Sequence, residues 1–203
     1  HGDPTQPPPP AERLKGRNSR WQHIVNENVL SMPDAWEYPW YAAWDMGFHA
    51  VTMALVDSAF AKRQITLMLS SLYQHPHGQI PAYEWNFSDT NPPVLAWAAW
   101  QIYLVDYRVT GIADTSFLAT VFRALLMSLT EWFNTKDPAG DDLFAGGFLG
   151  MDNIGVFNRD EPLPTGGRLA EVDGTAWVAQ MALQLTEIAV ELSHTHHGYR
   201  ADI

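Results

Sequence analysis

Apolar side chains recur at three- and four-residue steps in five stretches of the chain, and nowhere do they alternate for the length of a strand. The first, "YAAWDMGFHAVTMAL" (41–55), carries apolar groups on several faces and predicts a helix buried on more than one side. Asp57 and Ser58 then supply a turn and an N-cap for a second helix, "AFAKRQITLMLSSLY" (59–73). A third runs over "VLAWAAWQIYLVDYRVTG" (94–111), with Gly111 as its C-cap. A fourth, "TSFLATVFRALLMSLTEWFNTK" (115–136), is capped near Asp114, and a fifth is "GTAWVAQMALQLTEIAVELSH" (174–194). The predicted class is all-α.

Connections alternate between tight turns and long loops. The stretch "HPHGQIPAYEWNFSDTNPP" (75–93) is rich in Pro, Gly, Asn and Asp, and a second long loop covers about residues 137–172. Short and long connections in alternation predict helical hairpins set side by side, with the long loops gathered at one end where a site is built. No repeat of fixed period appears, which argues against a solenoid of the tetratricopeptide kind. Residues 1–39 read as a proline-rich connector and irregular arm, and 40–203 as the helical domain. The chain begins at His1, which predicts that a signal or a preceding domain lies upstream.

Composition narrows the function classes. A formal net charge of −11, with no Lys/Arg run to offset it, argues against nucleic acid and anionic membrane surfaces as partners. No apolar run has the length of a membrane span, and no signal peptide is visible. The chain has no cysteine, so it holds no disulfide, thiolate metal site or thiol nucleophile. That absence favours a reducing, cytoplasmic setting without fixing the localisation. Nine Trp, seven Tyr and nine Phe are a heavy aromatic load, suited either to a core or to stacking on sugar rings.

Carboxylates gather beside these aromatics. "WEYPWYAAWD" sets Glu37 and Asp45 among Trp36, Trp40, Tyr41 and Trp44; "AYEWNFSD" sets Glu84 and Asp89 around Trp85; "GGFLGMDNIGVFNRD" carries Asp152; "EVDGTAW" carries Glu171 and Asp173 ahead of Trp177. Glycoside hydrolysis needs one carboxylic acid to protonate the leaving oxygen, a second carboxylate to activate water or attack, and aromatic faces for the ring. The wall of Phe148, Leu149 and Met151 beside Asp152 would raise the pKa of an acid by desolvation. Structural roles compete at each position: Asp45 as a solvated helix acid, Asp173 as an N-cap, Glu84 and Asp89 as loop acids, Asp152 in an Asx turn. His75 with His77, and His194 with His196 and His197, have imidazoles for zinc but no H-E-x-x-H pattern, and no metal site is predicted. Serine-hydrolase, Walker and dinucleotide-binding motifs are absent.

The segments "WEYPWYAAWDMGFHA", "GQIPAYEWNFSDTNPPVLAWAAW" and "GGFLGMDNIGVFNRDEPLPTGG" resemble the catalytic domain of glycoside hydrolase family 63, in its bacterial glucosidase or mannosylglycerate hydrolase-like subgroup. The resemblance runs from about Gly2 to Ser193 and implies about the first half of an (α/α)6 toroid. It also implies hydrolysis of α-linked glucosyl or mannosyl groups with inversion and without cofactor. Asp152 matches the family's general acid, with Asn153 beside it. Trp44 and Asp45 resemble the lining of the sugar subsite at the cleavage point, and Gln79, Tyr83, Glu84 and Trp85 match a neighbouring loop. Tyr41 joins this set of substrate-binding candidates; Asn91 and Trp97 are secondary, and Asp173 and Trp177 resemble the structural start of the following helix. Related enzymes often carry Glu-Ser-Gly where this chain has Phe148, Leu149 and Gly150, which changes the local sugar contacts. Nothing in the chain matches the family's water-activating glutamate, so the general base is expected outside it. The expected partners are an α-glucoside or α-mannoside and the remainder of the catalytic domain or a covering chain. The alternative is a truncated, non-catalytic helical domain that binds carbohydrate or a protein.

Overall fold

A computed structural model describes residues 39–85, 87, 89–137, 139–144, 163–167 and 172–201, together with 11, 15, 21, 24–26, 28–32, 36 and 37. Among the described residues five α-helices are formed: α1 (Ala43–Ala54), α2 (Ser58–Met68), α3 (Leu95–Thr110), α4 (Thr115–Glu131) and α5 (Val172–Ser193). A π-helical turn, Trp132–Lys136, extends α4, and a short 3-10 turn, His197–Ala201, follows α5. Among the described residues extended pairing is confined to one antiparallel bridge, between Ala42 and Tyr83. The chain is all-α, as its periodicity predicts.

Local signals account for most of the boundaries. Asp57 and Asp114 accept the backbone N–H of Phe60 and Phe117 at 2.8 and 3.0 Å, capping α2 and α4. Gly111 closes α3 at φ 71°, its N–H bonded to the Tyr107 carbonyl. The second helix stops at Met68, five residues short of the predicted end at Tyr73. Ser70 is the cause: its hydroxyl takes the Leu72 N–H at 3.3 Å and its carbonyl takes Tyr73 and Gln74, so the backbone turns locally. The last helix begins at Val172, which puts Asp173 inside its first turn, accepting from the Gly174 N–H, rather than at the N-cap.

The helices form two rows. α1, α3 and α5 lie side by side, while α2 packs on α1 and α3, and α4 packs on α3 and α5. α3 is central and correspondingly apolar on several sides, burying Leu95, Ala96, Ala98, Ala99, Ile102 and Tyr103. Its alanines let neighbours approach, and Gly47 of α1 faces it, where a β-carbon would come within 3.2 Å of Val94 Cγ1. Met46, Ile65, Met68, Ile102, Leu118, Leu125, Met181, Ile188 and Leu192 are fully buried between the rows. Each such side chain contributes roughly 1.5–3 kcal/mol by leaving water. Among the described residues no helix is long and apolar enough to cross a membrane.

Candidate active site

α1 begins without a capping side chain of its own, since its N-cap residue is Ala42. The first N–H groups of a helix have no intrahelical acceptor. Here the long 75–93 loop satisfies them: Ala43 N–H donates to the Ala82 carbonyl at 2.9 Å, and Trp44 N–H donates to Asn91 Oδ1 at 3.2 Å. Residues far apart in the chain, 47 positions in the case of Trp44 and Asn91, are thereby joined beside the Trp44-Asp45 pair.

The same loop is fixed to α4. Gly78 has φ 103°, and a β-carbon there would lie 2.2 Å from the Met127 carbonyl oxygen. Its own carbonyl accepts from Ser128 Oγ at 2.7 Å and from Gln74 Nε2 at 3.1 Å, while Gln74 Nε2 also reaches the Ala124 carbonyl at 2.9 Å. These polar groups are buried and mutually satisfied, so the loop has a rigid root. Further along, Gln79 Nε2 donates to the Phe87 carbonyl at 2.6 Å and Tyr83 OH to Asp89 Oδ2 at 2.6 Å.

Between this loop, the start of α1 and the end of α4 lies a small cleft of about 40 Å³, where Trp44, Gln79, Asn91, Glu131, Trp132 and Lys136 stand among a mostly apolar lining that includes Val94, Leu95 and Met181. Sequence reasoning singled out the first three and missed the rest. Glu131 and Lys136 stand five positions apart, about 140° around an α-helix; the wider π-turn brings them to one cleft. An unbroken α-helix over 115–136 is the sequence expectation, so the arrival of both residues at one cleft had no visible signal.

The other described candidates, Tyr41, Asp45, Tyr83, Glu84 and Trp85, do not line this cleft. Asp45 is exposed in the first turn of α1, where a negative charge suits the helix dipole. Tyr41 lies below the surface at 3% exposure, its ring edge-on to Tyr73 at 5.6 Å. Its hydroxyl is buried without a hydrogen-bond partner among the described residues, and burial, then the charge of Glu84, pushes its pKa up. Glu84 is held by Asn26 Nδ2, which is itself tied to Tyr73 OH through Asn26 Oδ1. Partial burial raises the Glu84 pKa above the usual carboxylate value. Trp85 is half exposed at 53%. Asp152 and Asn153 lie outside the described residues. The segment that carries them departs from Phe144, whose N–H donates to Thr175 Oγ1 at 3.0 Å in the first turn of α5.

The N-terminal part of α5 also meets α1. Phe48 of α1 lies 5.9 Å from Trp44, 5.4 Å from Trp97 of α3 and 6.4 Å from Trp177 of α5, ring centre to ring centre. The N-terminal ends of the three helices in the first row therefore converge on aromatic side chains. Among the described residues no cluster of three metal-ligating side chains accompanies them.

Comparison with known proteins places the chain in a family. The uncharacterized protein YMR196W of Saccharomyces cerevisiae is 51% identical over 194 residues, which covers 96% of this chain and 18% of the yeast protein. The chain thus spans less than a fifth of that relative's length. No solved structure matches the chain. The model of the mannosylglycerate hydrolase MGH1-like glycoside hydrolase domain matches residues 38–199, and the chain belongs to that family.

Proposed function

We propose that this chain is part of an (α/α)6 catalytic toroid that hydrolyses α-linked glucosyl or mannosyl groups with inversion. The observation that carries the reading is the glycoside hydrolase family match over residues 38–199. The cleft between the α1 start and the 75–93 loop supports it, because it joins carboxylate, amide and aromatic side chains. Trp44 and Asp45 receive the sugar at the cleavage point; Gln79, Tyr83, Glu84 and Trp85 shape the adjoining loop, Tyr41 supports it from beneath, and Asn153 flanks the acid. Asp152 gives its proton to the glycosidic oxygen as the bond to the anomeric carbon breaks. A second carboxylate, supplied outside these residues, takes a proton from the attacking water. Inversion requires the two carboxyl groups to stand about 6.5–9.5 Å apart, leaving room for that water.

The test is turnover of α-glucosides and α-mannosides by the full-length protein carrying Asp152→Asn. The amide retains size and hydrogen bonding but cannot deliver the proton, so the rate falls by about 10²–10⁴. Turnover near that of the parent removes Asp152 from the role of acid.

The exposed apolar residues of α5 favour a covering element. Leu183 is 63% exposed and Val190 40%, two turns apart on one helix. We assign that face to the remainder of the catalytic domain. In the alternative reading, a non-catalytic domain that binds carbohydrate or a protein, a separate partner chain covers it.

A further inference from the structure

Phe48 occupies an unusual position for a phenylalanine. It is 40% exposed, although three tryptophans from three helices surround it. A ring with that many apolar neighbours is ordinarily sealed into the core. Its neighbours meet it at interplanar angles of 66°, 52° and 75°, so none lies stacked in parallel upon it. Trp44, one turn before it on α1, also lines the cleft, so the aromatic group continues the cleft wall. Asp45, three residues before Phe48, is exposed on the same side of α1. A pyranose presents one face of C–H bonds and a rim of hydroxyls. An aromatic ring takes the first, and a carboxylate, which accepts hydrogen bonds from hydroxyl groups, takes the second.

We infer that Phe48 is a sugar-stacking residue of this site, receiving the C–H face of a pyranose whose hydroxyls reach Asp45, with Trp97 and Trp177 holding the phenyl ring in place. The inference rests on the glycosidase reading for the identity of the ligand. Its energetic basis is pre-organisation: a ring already fixed by three others loses little freedom when a ligand settles on it. The exposed residues Leu55, Val56, Val109 and Ile112 differ, because they sit at helix ends and turns without such a frame.

The experiment is a tryptophan-fluorescence titration of the full-length protein with methyl α-D-glucopyranoside and methyl α-D-mannopyranoside. It is run in the Asp152→Asn background so that binding is read without turnover. Phe48→Leu keeps an apolar side chain at a partly exposed position but removes the ring, and it weakens binding of the preferred glycoside roughly three- to tenfold. Phe48→Tyr restores the ring and returns the dissociation constant to within about twofold of the parent. Phe48→Leu binding as tightly as the parent, Phe48→Tyr binding as weakly as Phe48→Leu, or no saturable binding of either glycoside overturns the inference. Failure of the glycosidase reading shows separately, as unchanged turnover in Asp152→Asn beside an intact Phe48 effect on binding.

Discussion

The side-chain oxygen of Asn91 accepts the backbone N–H of Trp44 at 3.2 Å, so the helix that carries the Trp44-Asp45 pair is capped by a residue from a different loop. With Ala42 at the N-cap, no local side chain replaces it. Asn91→Ala removes the acceptor and lowers stability by about 1 kcal/mol, the usual cost of losing a cap. Asn91→Asp keeps the oxygen and adds a charge favourable to the helix N-terminus, so it retains most of that stability. Denaturant midpoints test this, with hydrogen exchange at the Trp44 amide accelerating in Asn91→Ala alone. Equal stability of Asn91→Ala and the parent contradicts the cap.

Gly78 governs the root of the same loop. Gly78→Ala meets backbone rather than a movable side chain, the Met127 carbonyl oxygen at 2.2 Å, and demands an alanine at φ 103°. Strain and overpacking together cost about 3 kcal/mol or more. Ser128→Ala, which removes one of the two donors to the Gly78 carbonyl, costs about 1 kcal/mol. Thermal melting of the two variants checks both the order and the gap; a Gly78→Ala protein as stable as the parent contradicts the geometry.

Away from the cleft, Lys62 Nζ joins Asp106 Oδ2 at 2.6 Å and Asp114 Oδ2 at 2.7 Å, and Ser58 donates to Asp106 Oδ1 at 2.6 Å. Burial raises both carboxyl groups, but the hydrogen bonds from Lys62, with those from Ser58 and the Phe117 N–H, outweigh it and hold them below the ordinary 3.8. A carboxyl group depressed in the folded state stabilises fully above its unfolded pKa, and that contribution is lost as pH falls from 3.8 through the folded value. For Lys62, burial lowers the pKa but the two carboxylates raise it above 10.5, so its contribution holds below 10.5 and fades as pH rises beyond it. Lys62→Met leaves two partly buried carboxylates uncompensated and costs about 3 kcal/mol at neutral pH. The deficit shrinks at acid pH, below the ordinary 3.8, as the carboxyl groups take up protons and no longer need the cation. Urea unfolding at neutral and acid pH measures it, and a deficit independent of pH contradicts this account.

What the sequence disclosed were features encoded by neighbours in the chain. Asp57, Asp114 and Gly111 act within one turn of their own helices, and the spacing of Phe117, Val121 and Leu125 declares the buried face of α4 directly. The features it hid depend on residues far apart. Asn91 serves as a cap only because its loop folds over α1, and Phe48 is unremarkable until α3 and α5 bring Trp97 and Trp177 beside it. Other differences are local but subtle: Ser70 diverts the backbone at the end of α2, and a π-turn redirects Lys136 into the cleft. The motifs around Trp44 and Gln79 stood out as candidates because they carry acids, amides and aromatics together, and the fold brings Trp44 and Gln79 to one cleft.

The measurement closest to the central claim is the anomeric configuration of the first sugar released, followed by proton NMR as the full-length protein acts on an α-glucoside or α-mannoside. An inverting α-glycosidase releases the β-anomer first, with the α-anomer growing in only by mutarotation. Initial release of the α-anomer, or no hydrolysis of either class, contradicts the account.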